Sequence, residues 1–166
     1  MRAISNSSVL IALSSIGQLS VLTQRFPDGI LIPRAVWCEV VETGAGRTGA
    51  VEVAAGLNTW LSIQEAENKT LISVLQQNLD QGEAEAITLW LEQPSEALLL
   101  DEKKARQVAR RMNLPILGTL GLLIWAKRQG VIFNLQEQLD ALQTAAKFRL
   151  SQQVYNEALR QVRELQ

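Results

Sequence analysis

Short apolar runs alternate along the chain with longer stretches in which apolar residues recur every three or four positions. The runs are too short for helices and are typical of buried parallel strands, whereas the stretches between them have the spacing of amphipathic helices. This alternation predicts an α/β fold with a parallel sheet covered by helices. The predicted strands cover residues 3–5, 30–32, 59–63, 97–100 and 115–117.

Polar and small residues mark where the helices begin. Asn6 or Ser7 can cap the first helix, Pro33 can start a second, and Gly82 precedes a third. Further helices are predicted over 102–112 and 120–128. Residues 135–165 keep helical periodicity and are expected to form two terminal helices on the same domain. A single domain over 1–166 is therefore predicted.

Length and charge narrow the class of protein. A chain of 166 residues, 47% of them hydrophobic, suits one compact domain. The net charge of -1 gives no general attraction to nucleic acid, so an RNA partner would need a local basic patch. The lone cysteine, Cys38, and the lack of an apolar leader predict a cytoplasmic location. No apolar run reaches the roughly 20 residues that span a membrane.

The chain contains no histidine. This excludes Ser-His-Asp and Cys-His catalytic pairs, as well as metal motifs built on two histidines. Any hydrolytic chemistry must therefore rest on other groups.

Carboxylates are the groups that could carry hydrolytic chemistry without histidine. Asp101 follows a buried strand, Glu39 lies on the helix after Pro33, and Glu83 and Glu85 lie in the first turn after Gly82. Three elements can thus contribute acids to one cleft, where a divalent cation would offset their repulsion. Oxygen ligands suit Mg²⁺ or Mn²⁺, so a metal-dependent phosphodiesterase is the natural reaction class. Each acid also has a purely structural explanation, as a helix cap, a macrodipole partner or a solvated residue.

Several segments of the chain carry a family resemblance in their order and spacing. These segments are 4–13, 33–39, 82–87, 98–101 and 118–121, followed by 126–127. Together they resemble a PIN-domain protein, most closely a PIN-like branch of predicted nucleic-acid-binding proteins. The resemblance implies a three-layer α/β/α fold and a nuclease, commonly a ribonuclease, that depends on Mg²⁺ or Mn²⁺.

The resemblance also implies a set of site residues. Asn6, Glu39, Glu83 and Asp101 take the metal-ligand positions, and the three acids among them take the catalytic positions. Such nucleases usually have Asp where this chain has Asn6, and a neutral amide should weaken metal binding. A weakened or altered metal site is therefore predicted. Ser7 or Ser8 would orient the first ligand or its water, and Glu85 and Glu102 are reserve candidates.

Basic residues follow Asp101 on the predicted helix. Lys103, Arg106 and Arg110 are the candidate nucleic-acid contacts, because they could neutralise phosphates beside the acids. Lys104 and Arg111 share the segment. The alternative to nucleic-acid contact is a solvent-exposed helix whose charged residues have no binding role.

Two functions remain open at this point. The first is a metal-dependent endoribonuclease, for which the resemblance to small PIN proteins suggests the role of a toxin with an antitoxin protein as partner. The second is a weakly active or inactive PIN-like module that binds nucleic acid or a protein. The amphipathic helices, with Trp60, Trp90 and Trp125, also suit a homodimer, although core packing is the commoner use of tryptophan.

Overall fold

A computed structural model describes residues 1–146 and 148–165. Within these residues one sheet contains five strands in the order β3-β2-β1-β4-β5, and every neighbouring pair is parallel. The strands are β1 (Ala3–Ser5), β2 (Ile30–Ile32), β3 (Leu61–Ile63), β4 (Ala97–Leu99) and β5 (Ile116–Leu117).

Helices connect these strands and continue after the last one. Among the described residues, none is both long and apolar enough to cross a membrane. The helices are α1 (Ser7–Ser15), α2 (Ser20–Arg25), α3 (Arg34–Trp37), α4 (Ala50–Ala55), α5 (Lys69–Leu75), α6 (Gln81–Glu92), α7 (Lys103–Arg111), α8 (Thr119–Arg128), α9 (Leu135–Ala145) and α10 (Gln152–Gln161).

The sheet separates two hydrophobic cores. Successive strand residues point to opposite faces, so Ile4 and Leu98 pack with α5, α6 and α7, whereas Ala3 and Leu99 pack with the remaining helical layer. All four of these strand residues are buried. The three-layer α/β/α architecture and the parallel sheet are thus confirmed.

The order of the strands creates a crevice at one edge of the sheet. From β1 the chain passes to β2 on one side, and β4 later pairs with β1 on the other side. Ligand sites in open α/β sheets lie where the strand order reverses in this way, beyond the carboxyl ends of the strands. Asn6 follows β1 there, and its N–H donates to the Leu99 carbonyl of β4 at 3.1 Å.

The helix after β2 differs from the regular one that was predicted. Pro33 is its N-cap, as expected, but α3 passes directly into a π-helical turn over Cys38–Glu42. Gly44 follows this turn, and only glycine fits there because a Cβ would collide with the carbonyl oxygens of Glu39 and Val40. π-helical turns are rare and often occur at functional sites, and this one carries Glu39.

The two terminal helices are present and pack on α8 and on each other. Glu164, after α10, accepts hydrogen bonds from the backbone N–H groups of Leu135 and Gln136 at 2.7 and 2.9 Å. It also forms an ion pair with Lys127 of α8 at 2.9 Å. The carboxylate of Glu164 therefore joins the segment after α10 to the start of α9 and to α8.

Candidate active site

Asn6 lies at the carboxyl end of β1 and caps α1. The side chain is buried, with 2% of its surface exposed, and its Oδ1 accepts from the Val9 N–H at 3.4 Å. Ser7 is also buried, whereas Ser8 borders the cleft beside Asp101. The predicted ligand position thus carries a neutral oxygen that already serves a helix cap.

Glu83 is held in the first turn of α6 by a capping box. The Asp80 carboxylate accepts from the Glu83 N–H at 2.8 Å, and Glu83 Oε2 accepts from the Asp80 N–H at 3.1 Å. These reciprocal bonds satisfy amide groups that an α-helix leaves unpaired at its start. The cap fixes the Glu83 carboxylate where only 7% of the residue is exposed.

Several acids act on Glu83 electrostatically. Burial is the largest cause that raises the pKa of Glu83; the hydrogen bond from Asp80 opposes it, and the charges of Asp80, Glu102 and Glu39 raise the pKa further. Glu39 comes from the π-helical turn and Glu102 from the N-cap of α7. The fold therefore brings carboxylates from separate elements within reach of one another.

Glu39 and Glu102 are both exposed, and they lie on different elements. A Cβ on Gly82 would lie 3.5 Å from Glu39 Oε2, so the carboxylate of Glu39 lies against the start of α6. Glu102 is exposed and makes no side-chain capping bond. Glu102, a reserve candidate from the sequence, is thus the acid after β4 whose charge acts on Glu83.

Asp101 is clamped to the start of α8. Its Oδ1 accepts from the Thr119 N–H at 2.8 Å, and its Oδ2 accepts from Thr119 Oγ1 at 2.6 Å. Burial raises the pKa of Asp101 most, while the Thr119 bonds and the Arg106 charge oppose the rise. A Cβ on Gly118 would lie 2.9 Å from Asp101 Oδ1, so glycine leaves room for the clamp. The resemblance included Gly118 and Thr119 without assigning them a role.

Glu85 supports the packing of two helices. Its Oε1 accepts from the Ala35 N–H at 3.4 Å, at the start of α3, and its Oε2 accepts from Gln81 Nε2 at 2.8 Å. The residue is buried. Both carboxylate oxygens of this second reserve candidate therefore have partners within the protein.

The basic residues of α7 fall into two groups. Arg106 is partly buried, and its Nη1 donates to the Leu100 carbonyl at 2.7 Å; burial, and then the charge of Arg110, lower its pKa. Arg106 therefore anchors α7 to the end of β4. The remaining basic residues are exposed along one face of α7, and their contact with nucleic acid stays a prediction: Lys103, Lys104, Arg110 and Arg111.

Two hollows flank these acids. One, of about 820 Å³, is bordered by Ser8, Asp101, Glu102 and Lys103. The other, of about 540 Å³, contains Glu39. Among the residues that the structure describes, no group of three or more Asp, Glu, Cys or His side chains is arranged to hold a metal ion. The acids form an edge rather than a closed cage.

Comparison with known families decides the identity of this fold. A family model described as a PIN domain matches residues 2–164. The chain belongs to the PIN-domain family. No curated protein and no solved structure shows significant similarity to it. The resemblance inferred from the sequence is confirmed, and with it a nuclease-type fold of a family that is associated with nucleic acid and generally uses divalent metals.

The acidic side chains of this PIN domain are of the kind that binds a divalent cation. They supply oxygen ligands, and burial together with mutual repulsion raises the pKa of Glu83. Mg²⁺ is commonly held by one or two carboxylates, with water and substrate phosphate completing its shell. An open acidic edge therefore fits a cation that binds together with its substrate.

The Asp101 clamp predicts the effect of Thr119→Val. The variant removes the hydroxyl donor to a partly buried carboxylate, so we expect it to lower the free energy of unfolding by about 1–3 kcal/mol. Urea denaturation measures this loss. The matched control is Thr144→Val, whose hydroxyl lies on the exposed face of α9, and we expect a change within about 0.5 kcal/mol. Equal losses in the two variants would contradict the clamp.

The raised pKa of Glu83 predicts how stability depends on pH. Between the ordinary glutamate pKa of about 4.3 and the higher folded-state value, the folded chain binds more protons at Glu83 than the unfolded chain. This contribution therefore favours folding more strongly as the pH falls from about 7 through that window. Glu83→Gln removes the buried charge and keeps an oxygen for the Asp80 N–H. The variant should therefore be more stable than wild type at pH 7, and the difference should shrink at lower pH, where Glu83 is protonated in wild type. Thermal unfolding across pH measures it, and a constant difference would contradict the assignment.

Proposed function

We propose that this PIN domain is an endoribonuclease that depends on Mg²⁺ or Mn²⁺ and binds the cation together with an RNA phosphate. The observation that supports this most directly is that the charges of Glu39 and Glu102, which come from two other elements, act on the buried carboxylate of Glu83. Glu83 and one neighbouring acid would hold the cation together with the RNA phosphate. Asp101, the fourth acid, joins the end of β4 to the start of α8, because its carboxylate accepts two hydrogen bonds from Thr119.

The chemistry divides between the cation and the protein. A bound cation supplies neutralisation of the carboxylates and polarisation of the scissile phosphate. Glu83 Oε2 accepts from the Asp80 N–H, so Oε1 is the oxygen that would face the cation. No histidine is needed for these roles.

Basic and hydroxyl groups beside the acids complete the proposal. Lys103 is exposed and follows Glu102 directly, so its ammonium group can neutralise a phosphate next to the scissile one. Ser8 borders the same cleft and offers a hydroxyl to that phosphate or to a water. The substrate would thus be held between α1 and the start of α7.

A second function is favoured by Asn6. The PIN domain has a neutral amide at the position where such nucleases usually carry an acid, and the amide oxygen already caps α1. A module that binds nucleic acid or a protein with little or no cleavage is therefore the alternative. A toxin-antitoxin role, an antitoxin partner, a homodimer and a cytoplasmic location are expectations from the resemblance and the sequence.

Cleavage assays with acid-to-amide variants test the nuclease. Purified wild type is incubated with a labelled single-stranded RNA and Mn²⁺ or Mg²⁺, beside Glu83→Gln and Glu102→Gln. We expect wild type to cleave, and each variant to lose about 10²-fold or more in rate, because a charge that would hold the cation is removed. EDTA should abolish cleavage.

The control for this assay is Glu157→Gln. Glu157 is an exposed acid on α10, and the variant makes the same change of charge away from the acidic edge. It should cleave at the wild-type rate. Cleavage that is equal in wild type and Glu83→Gln would reject the proposed site, whereas RNA binding by wild type without cleavage would establish the second function.

A further inference from the structure

The segment after α9 contributes to the lining of the larger cleft. Phe148 and Arg149 border this cleft, together with Ser8 of α1 and with Glu102 and Lys103 at the start of α7. The terminal helices therefore deliver residues to the same cleft as the strand-end acids.

Phe148 presents an aromatic side chain at this cleft. The side chain is partly exposed and packs with one edge of the hydrophobic core. The Phe148 N–H donates to the Leu142 carbonyl at 3.0 Å, which ties the residue to the last turns of α9. A partly exposed aromatic residue that borders a cleft of about 820 Å³ offers a surface on which a planar base can stack.

Positive charge lies beside the acids in this cleft. Lys103 and Arg149 both border it and are exposed, and neither lies within ion-pair distance of an acid anywhere in residues 1–146 and 148–165. Two cations without acidic partners among these residues, in a cleft that also contains Asp101 and Glu102, match a polyanion that passes over the acids.

We propose that Phe148 and Arg149 position single-stranded RNA at the active site. An unpaired base stacks on the Phe148 ring, and Arg149 binds a phosphate of the same strand. Duplex RNA does not fit this role, because its base faces are already stacked. The inference rests on the proposed function and deepens it, since it makes the terminal helices part of the substrate site.

RNA binding without divalent metal tests this proposal. The probe is a fluorescein-labelled oligouridine of ten nucleotides, titrated in EDTA and followed by anisotropy at several salt concentrations. We expect Arg149→Glu to lower affinity about ten-fold or more and to reduce the salt slope by about 0.7, the loss of one single-strand phosphate contact. Arg163→Glu is the matched control: it makes the same change of charge at an exposed position after α10, and its affinity should stay within about two-fold of wild type.

A second pair of variants tests the stacking. Phe148→Leu keeps an apolar side chain for the core but removes the aromatic face, so affinity should fall about five- to hundred-fold. Phe148→Tyr should restore it. Thermal unfolding of both variants separates this effect from loss of folding, because a variant with wild-type melting temperature reports on the ring alone.

The outcomes separate this inference from the proposed nuclease. No binding of the oligouridine by wild type, equal losses in Arg149→Glu and Arg163→Glu, or wild-type affinity in a folded Phe148→Leu would each overturn the inference. Binding that depends on Phe148 and Arg149, in a protein that never cleaves RNA with Mn²⁺, would overturn the nuclease alone.

Discussion

The structure depends on hydrogen bonds between helix N-termini and the polar side chains at the carboxyl edge of the sheet. In a parallel α/β fold the helices that follow the strands begin at this edge, and their first amide groups need acceptors. Asn6 caps α1, Glu83 takes part in the box at the start of α6, and Asp101 accepts from the start of α8. The helix dipoles also favour negative charge there, so an acidic edge is tolerated without a cation.

This use of the acids explains why they form an edge and not a cage. Each helix cap contributes about 0.5–2 kcal/mol and directs its oxygen toward a backbone amide. Asp101 has both oxygens committed to Thr119, and Glu83 has one committed to Asp80. Glu39 and Glu102 are exposed and accept no side-chain hydrogen bond among the described residues, so these two acids can turn most freely toward a substrate. A cation would therefore find its remaining ligands in water and phosphate.

Much of the fold was predictable because the strands are short apolar runs and the helix starts carry strong local signals. The segments 3–5 and 30–32 coincide with β1 and β2, and Pro33 begins α3 as expected. The short helices α2 and α4 were not predicted, nor was the π-helical turn, because few residues define them and tertiary packing decides them.

The site was less predictable than the fold. Asp101 and Glu102 are neighbours in the sequence, yet one is turned inward to Thr119 and the other is exposed. That difference arises from a contact across eighteen positions of the chain, which no local pattern contains. The role of Arg106 as an anchor for Leu100 depends likewise on its burial, because spacing alone marks it as one more basic residue on α7.

The central claim is that the acidic edge and an RNA phosphate hold one cation together. Calorimetric titration of Mn²⁺ tests it most directly, with wild type alone and with wild type bound to an oligonucleotide whose leaving-group oxygens are replaced by methylene, so that attacking water has no P–O bond to break there. The account predicts that the oligonucleotide tightens Mn²⁺ binding at least about ten-fold, because phosphate supplies ligands that the edge lacks, and that Glu83→Gln removes this gain. The same Mn²⁺ affinity with and without the oligonucleotide, or an undiminished gain in Glu83→Gln, would contradict it.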